Sequence, residues 1–113
     1  MLTLADLDRD DLLALAVSLG AGSLSEQDLR AARVGGALAR ERAAYARWQA
    51  ASALAIADAQ ATRRYVETKG YDPCYRAIFA KAKTSSREAA DLWKVYEDQS
   101  RKRQRIEREM RIA

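Results

Sequence analysis

The chain has 113 residues, of which 49% are hydrophobic and 32% charged, with a formal net charge of +4, no histidine and one cysteine. That length fits one domain. The residue content excludes an intramolecular disulfide and a Cys/His zinc site, and no apolar run approaches the roughly 20 residues of a membrane span.

Alanine supplies 24 of the 55 hydrophobic residues, and Leu, Ile, Val and Phe together only 21. An Ala/Glu/Arg/Leu bias reads as long helices. Burying an alanine methyl contributes far less than burying a leucine side chain. So thin a core predicts close helix packing, with partner chains adding surface. The charge is blocky: −5 over residues 1–28, +7 over 29–83, −2 over 84–100 and +4 over 101–113.

The first predicted helix has Thr3 as its cap and Asp6 at the third position. Leu4, Leu7, Leu12, Leu15 and Leu19 give it an apolar stripe, and Gly20-Ala21-Gly22 ends it. Asp6, Asp8, Asp10 and Asp11 read as a solvated face, because they lack the glycine and terminal glutamate of a calcium loop.

The second helix starts at Ser25, where Asp28 completes a capping box and Leu24 with Leu29 forms a hydrophobic staple. It is expected to run from Glu26 to Lys69, about 65 Å, and to stop at Gly70. Gly35-Gly36 is its weak point and a candidate kink. Its seam is Leu38, Tyr45, Ser52, Ala59 and Val66, with Trp48, Ala55 and Thr62 between. Ala50, Ala53, Leu54, Ala57 and Ala61 line a second face. A helix apolar on most sides is usually surrounded, so other subunits are expected to supply neighbours.

Asp72-Pro73 reads as the start of a short helix over 73–83. A turn at Thr84-Ser85 follows, and Ser85 with Glu88 forms another capping box. The last helix then runs from Ser86 towards Ile112. Its seam is Ala89, Leu92, Tyr96, Gln99, Arg103, Ile106 and Met110, and its polar lower half is expected to project from the body. The two helices about Thr84-Ser85 have the lengths of a helix-turn-helix, although Glu88 and Asp91 oppose a DNA role there.

The expected fold is all-α: a long antiparallel helical hairpin with two short helices, in an oligomeric bundle. It forms a single domain over 1–113, with an acidic N-terminal helix at 1–22, a hairpin core at 25–100 and a basic end at 101–113. Without histidine the Ser-His and Cys-His nucleophile arrangements are impossible, and no phosphate-binding glycine loop is present. Cys74 stands near a helix start but has no base partner. No enzyme activity, cofactor or metal is expected.

Two functions remain. In the first, Arg101, Lys102, Arg103, Arg105, Arg108 and Arg111 contact nucleic-acid phosphates, with Arg101, Arg105 and Arg108 on one side through spacings of four and three. In the second, the chain is a protein-interaction module, an adaptor, regulatory subunit or inhibitor with no nucleic-acid role. Leu38, Tyr45, Trp48, Ala55, Ala59, Val66, Leu92, Trp93 and Tyr96 are the candidate oligomer or partner interface, since aromatic residues dominate binding hot spots. Over residues 25–112 the helix layout is similar to the hairpin oligomerisation core of small viral DNA-packaging (terminase) subunits. That likeness, shared with many helical adaptors, implies a non-enzymatic ring that assists a separate motor, and it carries over no functional residue. The acidic start lacks the basic region of an export signal, so the cytoplasm is the expected location and no membrane is an expected partner.

Overall fold

The computed structural model describes Leu2 and residues 6–18 and 25–112. Among them are three helices, α1 (Arg9–Ser18), α2 (Glu26–Lys69) and α3 (Tyr75–Ile112), and no strand. None of these helices is long and apolar enough to cross a membrane. The expected Thr3 cap, Leu4, Leu19, the Gly20-Ala21-Gly22 stop and Leu24 lie outside the described residues.

The chain forms two compact units. The first comprises Met1–Ala43 and Glu97–Ala113, the second Ala44–Tyr96. Both α2 and α3 contribute to each.

In the first unit, α1 is capped by its own aspartates. The Asp11 backbone N–H donates to the Asp8 carboxylate at 3.0 Å, and the Asp8 N–H donates to Asp11 at 3.3 Å. Asp8 is therefore the cap, so the helix begins at Arg9, well after the start that a Thr3 cap would give it. Leu7 and Leu15 pack with Leu29 and Ala32 of α2, and Leu2 packs against this cluster. Each buried leucine contributes about 1.5–3 kcal/mol, so Leu15→Ala is the change that would most directly undock α1. Leu12, assigned to the stripe by its spacing, is exposed, whereas Asp11 is buried.

The Ser25 capping box forms as expected. Ser25 Oγ accepts from the Asp28 N–H at 3.1 Å, and the Asp28 carboxylate accepts from the Ser25 N–H at 3.1 Å. Gly35 and Gly36 do not interrupt α2. They let α1 approach: a Cβ on Gly35 would lie 3.0 Å from the Ala14 Cβ.

In the second unit α2 closes where Gly70 takes a φ of +68°, in the left-handed region. The Gly70 N–H donates to the Val66 carbonyl at 2.9 Å. Asp72 then caps α3, accepting from the N–H groups of Cys74 at 3.0 Å and Tyr75 at 3.2 Å. The Tyr65 hydroxyl donates to Asp72 at 2.6 Å and ties the end of α2 to the turn.

Three expectations about the C-terminal half change. The short helix over 73–83 is the first part of α3, so there is one short helix among the described residues and not two. There is no turn at Thr84-Ser85, and with it goes the helix-turn-helix. Both hydroxyls are satisfied within continuous helix: Thr84 donates to the Ala80 carbonyl at 3.0 Å, and Ser85 donates to the Asp58 carboxylate. The lower part of α3 does not project. Gln99, Arg103, Ile106 and Met110 are half-buried within the first unit.

Candidate functional site

Along α3 the half-buried and buried positions include Tyr75, Ile78, Ala82, Ser85, Ala89, Leu92, Tyr96, Gln99, Arg103, Ile106 and Met110. These steps of three and four put one seam along the helix. The seam sorts the basic residues near its end. Arg103 lies on it: its guanidinium bonds to Glu41 and meets Glu107 at 3.0 Å. The Glu41 carboxylate holds the Arg103 guanidinium above its ordinary pKa, with Glu107 adding to the effect against burial. Of the expected phosphate-binding residues, Arg103 is thus the one ion-paired to α2 among the described residues. Lys102 is exposed but reaches Asp98 at 3.1 Å, an ordinary pair four residues apart.

Arg101, Arg105 and Arg108 are exposed and carry no ion pair among the described residues. Like charges at these spacings repel by a few tenths of a kcal/mol per pair. The stripe therefore presents unneutralised guanidinium groups to solvent, which suits a polyanion. Arg111 is also exposed and lines an open groove of about 780 Å³ in the first unit, with Glu26, Arg30, Val34 and Met110.

A second cationic feature of this unit is internally paired. Arg40 bonds to Asp8 and lies 3.7 Å from Asp10 and 3.5 Å from Asp11. The Arg33 guanidinium donates to the Asp6 carbonyl at 3.2 Å. The aspartate run is therefore a docking face for Arg40 of α2 at Asp8, Asp10 and Asp11, not the fully solvated surface that its sequence suggests. Burial acts against ionising Asp8, but the Asp11 backbone N–H and Arg40 prevail and hold it below the usual carboxylate range. For Asp11 burial prevails and raises its pKa, despite the Asp8 N–H and with the Asp8 charge adding to the effect. No group of acidic or cysteine residues suited to a metal ion occurs among the described residues.

The second unit holds the aromatic residues expected at an interface. Trp48 and Trp93 have ring centroids 4.7 Å apart, Tyr45 and Tyr96 5.2 Å, and Trp93 and Tyr96 5.1 Å. Such tilted pairs add about 0.5–1.5 kcal/mol each beyond burial. Their partners are thus each other, although Tyr45 at 39% and Trp93 at 38% remain exposed on the outer side. Ala55, Val66 and Leu92 are half-buried in this unit, as is Leu38 in the first. Ala59 is exposed, and so are Ala50, Ala53, Leu54, Ala57 and Ala61 on the second face.

Two pairings are not visible in the sequence alone, Asp58–Ser85 and Glu41–Arg103. Each joins a partly buried carboxylate of α2, outside the expected seam, to a polar residue on the α3 seam. Arg103 on the expected α3 seam is the available signal; Ser85 by itself resembles a cap. The chain matches no known protein family, curated protein or solved structure, so the likeness to small terminase subunits rests on helix layout alone.

Proposed function

We propose that this chain is a non-enzymatic, self-associating helical protein that contacts the nucleic-acid backbone through the end of α3, in a packaging or nucleoprotein-assembly role. The carrying observation is the division of labour in that segment: Arg103 is used internally, while Arg101, Arg105 and Arg108 stand exposed and unpaired, among the described residues, on one side. Contacts of this kind position a protein on phosphates without reading bases, and they weaken as salt rises. Two antiparallel helical segments in the second unit, a helical hairpin, supply the self-associating part of the reading.

The test is fluorescence anisotropy with a short DNA duplex across a salt series. Replacing Arg101, Arg105 and Arg108 together by Ala should weaken binding to every sequence alike. The salt slope should fall by about 3, because each arginine neutralises one phosphate. Unchanged affinity in the triple variant rejects the assignment. The half-exposed Tyr45 and Trp93 favour a second reading, a protein-interaction module without a nucleic-acid role. Under it, the triple arginine variant keeps full partner binding and Trp93→Ala abolishes it.

A further inference from the structure

We propose that the second unit docks another copy of this chain, face to face, through the side of its helix pair that exposes Tyr45, Phe79 and Trp93. The inference rests on the self-association in the proposed function and gives it a surface.

The contacts inside this unit fix which side that is. Tyr45 meets Tyr96, Trp48 meets Trp93, and Asp58 meets Ser85, so the segments of α2 and α3 run in opposite directions past one another. On α2 the contact positions include Ala44, Ala51, Asp58 and Tyr65; on α3 they include Ile78, Ser85 and Leu92. The residue after each lies about 100° further round its helix. Between antiparallel helices that rotation leads to the same side of both. The side comprises Tyr45, Ser52, Ala59 and Val66 from α2, and Phe79, Ser86 and Trp93 from α3. None of these seven is charged, in a chain that is 32% charged, although Arg63, one turn on from Ala59 and beside it, shares the side. The opposite side, built from Arg47, Leu54, Ala61, Thr68, Lys81, Glu88 and Val95, carries three charges. Lys83 borders the first side, with its ammonium 5.2 Å from the centre of the Phe79 ring.

The unit needs such cover. Its buried residues are Ala44, Ser85 and Ala89, and none of its large side chains is among them. Tyr45, Phe79 and Trp93 are 39%, 42% and 38% exposed, all on the first side. From Tyr45 to Val66 the side is about 32 Å long, and two helices about 10 Å apart make it about 20 Å wide. Two such faces together would bury on the order of 1,300 Å², within the range of specific interfaces.

The pattern is self-complementary, which argues for a second copy as the occupant. Aromatic residues stand at both ends, Tyr45 with Trp93 at one and Phe79 at the other, with Ser52, Ala59 and Ser86 between. A two-fold axis through the middle brings Tyr45 and Trp93 of each copy to Phe79 and Val66 of the other. The small central residues then meet across the axis and permit close approach, as an isologous contact requires.

Light scattering after size exclusion, on the full chain over a wide dilution series, tests the proposal. The expected mass is twice 12.6 kDa at high concentration, falling on dilution. Ala59→Glu places like charges on both copies near the axis and should raise the dissociation constant about tenfold or more. Ser86→Glu, also at an exposed position, should do the same. Ala57→Glu, exposed but off this side, should leave association unchanged, and circular dichroism should show equal helix content in all three. A monomeric wild type, which would leave the face to a different protein, overturns the proposal; so does association of the Ala59 and Ser86 variants equal to that of Ala57→Glu. The Arg101, Arg105 and Arg108 triple variant should keep the doubled mass while no longer binding DNA. A wild type that dimerises but ignores DNA sinks the nucleic-acid reading and leaves this one standing.

Discussion

The backbone of Asp11 in α1 lies directly against Gly36 of α2: a Cβ built on Gly36 would fall 2.5 Å from the Asp11 nitrogen and 2.6 Å from its Cα. In an isolated helix Gly36→Ala gains about 1 kcal/mol of propensity. Here the methyl meets backbone, which cannot swing aside as a flexible side chain can, and overpacking costs about 1–3 kcal/mol. The variant should therefore unfold at lower urea than wild type. A higher midpoint would mean that α1 is not held against Gly36. Gly70→Ala should also destabilise, by about 1–2 kcal/mol, for a different reason, its positive φ.

Local signals in the sequence predict the structure where the interaction is itself local. The Ser25–Asp28 box, the Gly70 stop and the Asp72 cap each involve residues within a few positions of one another, and their chemistry is fixed by that spacing. Gly36, Ser85 and Arg103 behave differently. Each resembles a local device, a kink, a cap or a free cation, yet Gly36 receives Asp11, Ser85 bonds to Asp58 and Arg103 bonds to Glu41, all distant in the chain. Tertiary partners override such propensities, and one sequence without its contacts cannot name them. The candidate site is legible in part for the same reason: periodicity places Arg101, Arg105 and Arg108 on one side, but only the Glu41 contact distinguishes Arg103 from them as internally paired.

The Asp58–Ser85 bond should behave as a coupled pair. Ser85 is 6% exposed and the Asp58 side chain 13%. Asp58→Ala strips the partner from a buried hydroxyl, at a cost of about 1–3 kcal/mol. Ser85→Ala leaves the Asp58 carboxylate with Lys81 at 4.0 Å, a mostly exposed and weak partner. Removing both deletes donor and acceptor together, so the double variant should be less destabilised than the sum of the singles. Additive effects in a double-mutant cycle measured by urea unfolding would contradict the pairing.

Stability should depend on pH through Asp8 and Asp11 with opposite signs. The folded pKa of Asp8 is depressed below 3.8, so its contribution is present above that value and is lost as pH falls through the folded pKa. The folded pKa of Asp11 is raised above 3.8, so its contribution is present below that value and is lost as pH rises through the folded pKa. Asp8→Asn should thus cost stability at neutral pH, with the cost shrinking in acid. Asp11→Asn should compare more favourably with wild type at neutral pH than in acid. The Asp8 effect will be small, well under about 1 kcal/mol, because its side chain is 55% exposed. Denaturant midpoints at neutral and acidic pH check both signs, and the same trend in both variants would refute the assignment.

Arg103 and Arg105 are near neighbours in the chain and should separate stability from binding. The Arg103 side chain is 20% exposed and that of its partner Glu41 only 14%, so Arg103→Ala leaves a mostly covered carboxylate without its paired cation. The expected cost is about 1–3 kcal/mol, seen as a lower urea midpoint. Arg105 is exposed and unpaired among the described residues, and Arg105→Ala also removes its repulsion with Arg101 and Arg108. Its midpoint should stay within about 0.5 kcal/mol of wild type. The order should reverse in DNA anisotropy at low salt: Arg105→Ala weakens binding, while Arg103→Ala, under conditions where it is fully folded, retains it. Equal effects of the two variants on affinity would show that the charge of α3 acts as an undivided patch, and the internal Arg103–Glu41 pair would then have no bearing on which arginines meet the phosphates.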